Sequence, residues 1–387
     1  MRALPAPQDF TSWLRSPAVA ARVGVWLGVC FVVTFLTGVY SHVAQLPDPW
    51  IPLPTRPTWG YSVTQGLHVA AGTAAVPLLL VKLWTVYPHL FARPPRAARA
   101  LVLHGLERAS IGVLVAAAVF QLVTGIANSA QWYPWSFSFP PVHYAVAWVA
   151  IGALAVHIAV KLPVIRAALA ADIDDAGLDR PTTAPAEPHT LSRRGLVRSA
   201  WGAAALAVLA TTAGSTVPAL RRVSVLGVRS GDGPQGVPVN KSARAAGVLE
   251  TAVSDSFRLV VAHGDRSLSW TRSELEEMRQ TTADLPIACV EGWSASGTWT
   301  GVRVRDLLDL VGAPAGRAVT VTSLQSSGPY RATILPGNFA DDDLTLLALR
   351  LGGEPLDLDH GYPCRLIAPN RPGVLQTKWV TRLEVAG

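Results

Sequence analysis

The chain divides near residue 220 into an N-terminal part with long apolar runs and a C-terminal part in which short apolar and polar stretches alternate. Five runs are long enough, or nearly so, to cross a hydrocarbon core of about 30 Å, which takes roughly 20 helical residues. They cover residues 22–41, 63–86, 108–128, 143–162 and 199–219. One such run is compatible with a buried core helix, but five in series with polar joints predict a helical membrane bundle.

Composition and charge agree with this interpretation. Half of the 387 residues are hydrophobic and 15% are charged, which is too apolar for a wholly soluble chain. The net charge of +7 does not indicate nucleic-acid binding, because the Lys and Arg residues lie in short loops rather than on one basic face. The joints at 42–62 and 129–142 contain Arg56 as their one Lys or Arg residue, and they are rich in Trp, Tyr and Pro, as expected of an aromatic belt at the membrane interface. The positive-inside rule therefore predicts a multi-pass protein of the cell membrane, with a cytoplasmic N-terminus and an extracytoplasmic C-terminal domain.

Histidines are placed in two layers of the predicted bundle. His143 and His157 are 14 residues apart in the fourth run, which corresponds to about 21 Å and nearly the same helix face. Such a pair can bind two hemes, one near each membrane surface. His68 is predicted at the depth of His143, and His104 at the depth of His157. The alternative is that interfacial histidines only extend to the polar membrane surface, and it applies most to His42 and His89.

This spacing within a four-helix apolar block resembles the diheme membrane cytochromes b, the quinone-linked subunits of respiratory oxidoreductases. The resemblance covers about residues 20–165. It implies one or two b-type hemes, with iron ligands drawn from His68, His104, His143 and His157. It also implies surrounding membrane lipid and a quinone or quinol partner.

Residues 191–213 contain paired Arg193 and Arg194 after Ser192, followed by an Ala-rich, mildly apolar run. The segment resembles a twin-arginine translocation signal, which directs folded proteins to an export machinery. The alternative is that the two arginines hold the cytoplasmic end of an ordinary span. We expect a membrane domain at 1–170, a cytoplasmic linker at 171–198 and a fifth, anchoring helix at 199–220.

The pattern changes to short strands and turns from about residue 225, which predicts an extracytoplasmic α+β domain of mainly β character at 225–387. Helices are predicted at 269–278 and 301–313. Strands are predicted at 256–264, 318–324, 330–336, 363–369 and 379–385. The segment has no GxGxxG, P-loop or serine-nucleophile elbow, so nucleotide binding and acyl transfer have no support.

Cys289 follows an apolar, strand-like stretch and meets a turn rich in Gly and Ser. A thiolate in such a turn can be presented to a metal. The alternative is a disulfide with Cys364. The strand-like surroundings of Cys364 instead favour packing as a small apolar side chain.

Four motifs carry a second resemblance: CVEGWS at 289–294, W-x-G-V-x-x-x-D-L-L at 299–308, HGYPCRLIAP at 360–369 and KWV at 378–380. They resemble the sulfite-oxidase-type molybdopterin oxidoreductases, closest to the branch that contains the catalytic subunit of the periplasmic methionine sulfoxide reductase. The resemblance covers about 235–385. It implies a molybdenum atom bound by a pterin dithiolene and the Cys289 thiolate, with Glu291 beside the metal. The implied molybdopterin contacts are Asn240, Ser323, His360, Arg365, Gln376, Thr377 and Lys378.

Two departures affect the expected substrate. Pro372 stands where the reductase branch has a tyrosine, and Glu291 would repel sulfite. We therefore expect electrons to pass from quinol through heme to molybdenum, which reduces a small oxo-transfer substrate such as an S-oxide or N-oxide. The alternatives are a sulfite-type dehydrogenase that feeds electrons to the membrane, an inactive pterin-fold binding module, and an enzyme whose bundle is only an anchor.

Overall fold

The computed structural model describes residues 5–11, 13–184, 191–220, 222–227 and 233–385. The chain forms two compact units, one of Met1–Gly38 and Leu67–Thr212 and the other of Val39–Gly66 and Ala213–Gly387. The segment Val39–Gly66 thus groups with the C-terminal domain, whereas the sequence placed it in a membrane domain at 1–170.

Four long helices carry the apolar runs: α1 Pro17–Ala44, α2 Gly60–Val86, α3 Ala98–Ser129 and α4 Phe139–Ala170. A 3-10 turn, Tyr87–Phe91, follows α2 directly. All four helices are long and apolar enough to cross a membrane. Each extends beyond its predicted run, because helical hydrogen bonding continues through polar and aromatic residues where hydropathy already falls.

The fifth helix, α5, covers Arg193–Thr211 and is followed by the short α6, Ala213–Thr216. The Ser192 side chain caps α5 by accepting from the Gly195 amide at 3.0 Å, so the paired arginines form its first turn instead of belonging to the linker. Arg193 is fully buried and ion-pairs with Asp179. Among the described residues, α5 is not one of the four helices that meet the length and apolarity of a membrane span. Residues 185–190 of the predicted linker lie outside the described residues.

The C-terminal domain contains two five-stranded sheets. Its strands are β1 Leu259–His263, β2 Arg266–Trp270, β3 Thr281–Ala288, β4 Ser294–Arg303, β5 Val319–Ser323, β6 Ala332–Leu335, β7 Leu346–Leu351, β8 Glu354–Pro355, β9 Arg365–Ile367 and β10 Val380–Val385. One sheet has the order β2-β1-β10-β5-β6, and the other has β3-β4-β7-β8 with β9 also paired to β7. The β1–β10 pair is parallel. The short helices are α7 Ala243–Ala246, α8 Arg272–Glu277, α9 Val304–Leu310 and α10 Gly337–Ala340.

Local sequence explains several of these elements. In β5, Val319, Val321 and Ser323 are buried while the threonines between them are half-buried, as expected of a period of two. Thr271 and Glu274 form a capping box at the start of α8. The predicted strands at β1, β5, β6, β9 and β10 and the helix at α8 are confirmed. The predicted helix at 301–313 begins only at Val304, because residues 301–303 continue β4.

Candidate functional site

The turn between β3 and β4 positions the Cys289 thiol. The Cys289 amide donates to the Trp293 carbonyl at 2.9 Å, and the Gly292 amide donates to the Cys289 carbonyl at 3.0 Å. Gly292 has φ of 89°, which lies in the left-handed region that side chains disfavour. The glycine of the CVEGWS motif therefore permits the tight turn that holds Cys289 at the end of a buried strand.

Cys289 lines a pocket with about 280 Å³ of empty space. Four other predicted cofactor residues line the same pocket, namely Asn240, His360, Arg365 and Lys378. The rest of the wall consists of Val237, Pro238, Ile287, Trp293 and Gly373. Residues separated by up to 141 positions in the chain thus meet around one thiol.

The cations at and near this pocket have unusual partners. Arg365 and Arg371 are buried, and Lys378 is half-buried. Arg365 donates to the carbonyls of His360 and Gln376, each at 3.0 Å. Lys378 Nζ donates to the carbonyls of Lys241 at 2.8 Å and Asp359 at 2.7 Å. Within the described residues, the structure gives none of the three an ion pair with a carboxylate.

Some nitrogens of these cations also lack partners. The Arg365 Nε and the Arg371 Nε and Nη1 are buried without a hydrogen bond among the described residues. Burying cations without counter-charge is costly, and so is burying an unpaired donor. An anionic ligand relieves both costs, so the site fits a group that carries phosphate and thiolate charge.

Burial shifts the pKa values of the lining groups. It lowers the pKa of Lys378 to about 7 and that of Arg365 to about 9. It lowers the pKa of His360 to about 4, so the ring is neutral at pH 7. Because His360 Nε2 lies 2.7 Å from the Pro234 carbonyl, Nε2 carries the proton and Nδ1 keeps its lone pair. His360 can thus accept a hydrogen bond from a ligand through Nδ1.

Burial, followed by the charge of Glu291, raises the pKa of the Cys289 thiol to about 12. Burial, followed by the electrostatic effect of Cys289, also raises the pKa of Tyr330. Cys289 is therefore a neutral thiol without a metal. A coordinating metal deprotonates such a thiol, so the site favours metal binding over use of Cys289 as a free nucleophile.

The remaining predicted residues lie behind the pocket wall. Ser323 Oγ donates to the Lys378 carbonyl at 2.8 Å, and Thr377 Oγ1 lies 3.2 Å from Thr333 Oγ1. The Gln376 side chain accepts from the Ala368 amide at 2.7 Å. Their side chains hold the 376–378 segment in place and are absent from the pocket lining, which changes the direct cofactor contacts expected for them.

Glu291 is also displaced from its expected place. It is buried, and its Oε2 accepts from Trp293 Nε1 at 2.9 Å. Trp293 lines the pocket whereas Glu291 does not. The geometry therefore favours Glu291 as a residue that positions Trp293, in place of the predicted catalytic contact.

The sequence did not indicate the contacts made by the segment before α2 and by the first residues of α2. The Tyr61 amide donates to Asn370 Oδ1 at 2.6 Å, and Gln65 Nε2 donates to the Val290 carbonyl at 3.4 Å. Asn370 Nδ2 in turn donates to the Pro54 carbonyl at 2.7 Å. This segment therefore contacts the residue next to Cys289. The only sequence signal was the aromatic and polar character of 42–62, which was assigned to a membrane interface.

The disulfide alternative does not hold, because all three cysteines are free. Cys364 is buried, and its thiol donates to the Val380 carbonyl at 3.2 Å. Its behaviour as a small, inert side chain is as predicted.

In the helical unit, the His68 and His143 rings have their centroids 6.5 Å apart and their planes inclined at 66°. Thr37 Oγ1 lies 3.1 Å from His68 Nδ1, and Thr124 Oγ1 lies 3.0 Å from His143 Nδ1. Each threonine hydroxyl proton is directed to a helix carbonyl, at 2.6 Å and 2.7 Å respectively. Both Nδ1 atoms are therefore the donors, which leaves Nε2 of each ring with a lone pair.

This geometry fits one metal ion between the rings. Imidazole binds metals at about 2.0–2.1 Å, and adding about 1.1 Å from Nε2 to each centroid gives a centroid separation of about 6.3 Å. The observed 6.5 Å agrees with that value. The His68–His143 pair fits axial ligation of a heme.

His104 and His157 are not brought together in this way. Thr124 contacts His143, and Glu107 bonds Lys161, so the antiparallel register puts His157 level with residues 110–111. His104 is then six or seven residues away, about 10 Å at 1.5 Å per residue. Its Nε2 also accepts from Arg108 Nε at 2.7 Å. The predicted matching depth of His104 and His157 is thus wrong.

Comparison with known proteins agrees with the domain's chemistry. Residues 246–387 match the family described as oxidoreductase molybdopterin binding domain. This part of the chain is therefore similar to the molybdopterin-binding domains of oxidoreductases, and its relatives include a sulfite oxidase, as its motifs predicted.

The individual relatives include a sulfite oxidase and a putative protein-methionine-sulfoxide reductase subunit. Sulfite oxidase of Arabidopsis thaliana is 31% identical over 24% of this chain and 28% of its own. The putative protein-methionine-sulfoxide reductase subunit YedZ1 of Azospira oryzae is 33% identical over 34% of this chain and 49% of its own. The sulfane dehydrogenase SoxCD of Paracoccus pantotrophus is 25% identical, with a TM-score of 0.32, over 35% of this chain and 40% of its own. The chain spans less than half the length of each.

Proposed function

We propose that the protein is a membrane-bound molybdopterin-dependent oxidoreductase that passes electrons between the quinone pool, b-type heme and an extracytoplasmic molybdenum site. The favoured reaction is reduction of a small S-oxide or N-oxide. The observation that carries the proposal is the pocket in which Cys289, His360, Arg365 and Lys378 meet.

The pocket residues have separable tasks. Cys289 supplies a thiolate to the metal, and the soft sulfur suits an ion that changes oxidation state. Arg365 and Lys378 supply positive charge for the anionic cofactor, and neutral His360 accepts a hydrogen bond through Nδ1. When bound, the molybdenum cofactor supplies oxo transfer and accepts or donates electrons singly. Trp293, held by Glu291, closes the wall beside the sulfur.

Heme binding is supported by the His68–His143 geometry and by the two threonines that fix their tautomers. The helix that carries His68 also carries Gln65, three residues earlier, whose side chain contacts the Val290 carbonyl. One chain that holds both redox centres replaces a diffusive encounter with a high effective concentration. We propose quinol as donor, a cytoplasmic N-terminus, a fifth crossing by the less apolar α5 that places the domain outside the cytoplasm, and a role for the paired arginines in export of the folded domain.

A second candidate, oxidation of an oxyanion such as sulfite with electrons fed to the membrane, is favoured by Arg371. This residue is buried, and two of its guanidinium nitrogens lack partners among the described residues. Two other arginines of the domain are less suited to bind an anion, because Arg303 is already paired with Asp343 and Arg331 is exposed.

The test is a dye-linked screen of sulfoxides, N-oxides and sulfite with the purified chain, accompanied by metal analysis. The favoured function predicts molybdenum in the preparation and substrate-dependent reoxidation of a reduced dye. Reduction of an oxidised dye by sulfite would select the second candidate. A preparation from a molybdenum-sufficient host that contains no molybdenum would refute both functions and indicate a binding module.

A further inference from the structure

The inner layer of the bundle has a histidine, His157, but no second histidine at its depth. The layer that contains His68 and His143 provides the reference. Counting 14 residues onward from each gives Lys82 in α2 and His157 in α4. In α4 the step corresponds to about 21 Å and to nearly the same helix face. In α2 the step has the same number of residues but passes Pro77, so the face of Lys82 is taken from its contacts with α1. Lys82 is thus the residue of α2 that stands at the depth of His157.

Contacts with α1 support this placement independently. A Cβ at Gly38 would lie 3.1 Å from His68 Cε1, and a Cβ at Gly24 would lie 3.1 Å from Lys82 Nζ. These two glycines are also 14 residues apart. Lys82 therefore has the same relation to α1 in the inner layer that His68 has in the outer layer, with a glycine opposite each polar end.

The Lys82 amine lies against the backbone of α1 in the inner layer. Its Nζ donates to the Ala20 carbonyl at 2.8 Å, and within the described residues it forms no ion pair with a carboxylate. A lysine within a membrane span is costly to insert, which favours a functional explanation.

We infer that Lys82 and His157 are the axial ligands of a second, inner heme, so that the protein contains one bis-histidine heme and one histidine–lysine heme. This inference rests on the proposed heme-binding function. On ligation, the Lys82 ammonium releases one proton to the nearby aqueous surface, and its nitrogen lone pair forms the bond to iron. The neutral amine no longer carries the charge that makes a buried lysine costly. Its flexible four-carbon stem can turn from the Ala20 carbonyl toward the bundle axis.

The experiment measures the heme-to-chain ratio by pyridine hemochrome on the purified full chain, with ligand type from electron paramagnetic resonance and near-infrared magnetic circular dichroism. The wild type is expected to contain about two hemes per chain, with one bis-imidazole and one imidazole–amine signal. Lys82→Ala and His157→Ala are each expected to contain about one and to lose only the imidazole–amine signal. Lys82→His is expected to keep two hemes and to show two bis-imidazole signals.

Lys161→Ala is the matched control, because Lys161 lies one turn from His157 and is already bonded to Glu107. It should keep both hemes. A wild type with one heme, or a Lys82→Ala variant that keeps both signals, would overturn the inference while leaving the His68–His143 heme in place. A wild type with no heme would instead refute the proposed electron-transfer function.

Discussion

Replacement of Thr124 by valine tests whether His143 binds iron. The change keeps the side-chain shape but removes the oxygen that lies 3.0 Å from His143 Nδ1. Loss of a hydrogen-bond partner of a metal-bound imidazole typically costs 10–100-fold in metal affinity, or about 1.4–2.7 kcal/mol. The imidazole also becomes less basic and stabilises ferric iron less. A tenfold loss that falls on the ferric state alone raises the midpoint potential by about 59 mV.

The assay is a redox titration of the b-type absorption band together with the heme-to-chain ratio. Thr73→Val in α2 is the matched control, since the Thr73 hydroxyl donates to the Val69 carbonyl at 2.8 Å and not to a histidine. Thr124→Val should raise the potential or lower the heme content, and Thr73→Val should do neither. If both variants match the wild type in content and potential, His143 is not held by Thr124 as a ligand and the reasoning fails.

Three further predictions concern the molybdopterin domain. The pKa of His360 falls from 6.5 to about 4 on folding, so the unfolded chain binds more protons than the folded chain between these pH values. The free energy of unfolding of the cofactor-free protein should therefore decrease by up to about 3 kcal/mol as pH falls from 6.5 to 4. Thermal unfolding of His360→Gln should show a weaker pH dependence. Asn370→Ala removes the acceptor of the buried Tyr61 amide and should lower the free energy of unfolding by about 1–3 kcal/mol, with roughly 1 kcal/mol more for alanine at φ of 54°. Asn370→Gly avoids the second loss and should melt at a higher temperature than Asn370→Ala. Equal melting temperatures of both variants and the wild type would contradict this. Gly361 has φ of 109°, and Gly361→Ala would place a Cβ 3.1 Å from Lys378 Cβ. The molybdenum content of this variant should therefore fall several-fold. An unchanged content would show that this close approach is unimportant.

The sequence was sufficient for elements with a local signal. Hydropathy located the four long helices, since a membrane span needs a continuous apolar run, and alternation located strands such as β5. It failed for β4, Ser294–Arg303, where Gly, Ser and Thr hide the period and pairing with β3 and β7 determines the structure. Helix ends were misplaced, as at α5, because capping by Ser192 depends on backbone geometry that hydropathy does not record.

The candidate site divides in the same way. Motif residues such as Cys289 and Lys378 could be named from their sequence context, and they do line one pocket. The orientation of neighbouring side chains could not be predicted, so Glu291 was expected at the metal although it holds Trp293. The contact between Asn370 and Tyr61 joins residues 309 positions apart, and no local pattern indicates it. The depth of His104 likewise required the helix register, which follows only from contacts such as Glu107 with Lys161.

The central claim is that the Cys289 sulfur is a ligand of molybdenum. X-ray absorption at the molybdenum edge of the purified chain counts the sulfur atoms bound to the metal. The account predicts three in the wild type, two from the pterin and one from Cys289, and two in Cys289→Ser. Cys364→Ser, which changes the other buried free thiol of the domain, should keep all three. An identical sulfur count in the wild type and Cys289→Ser would contradict the account.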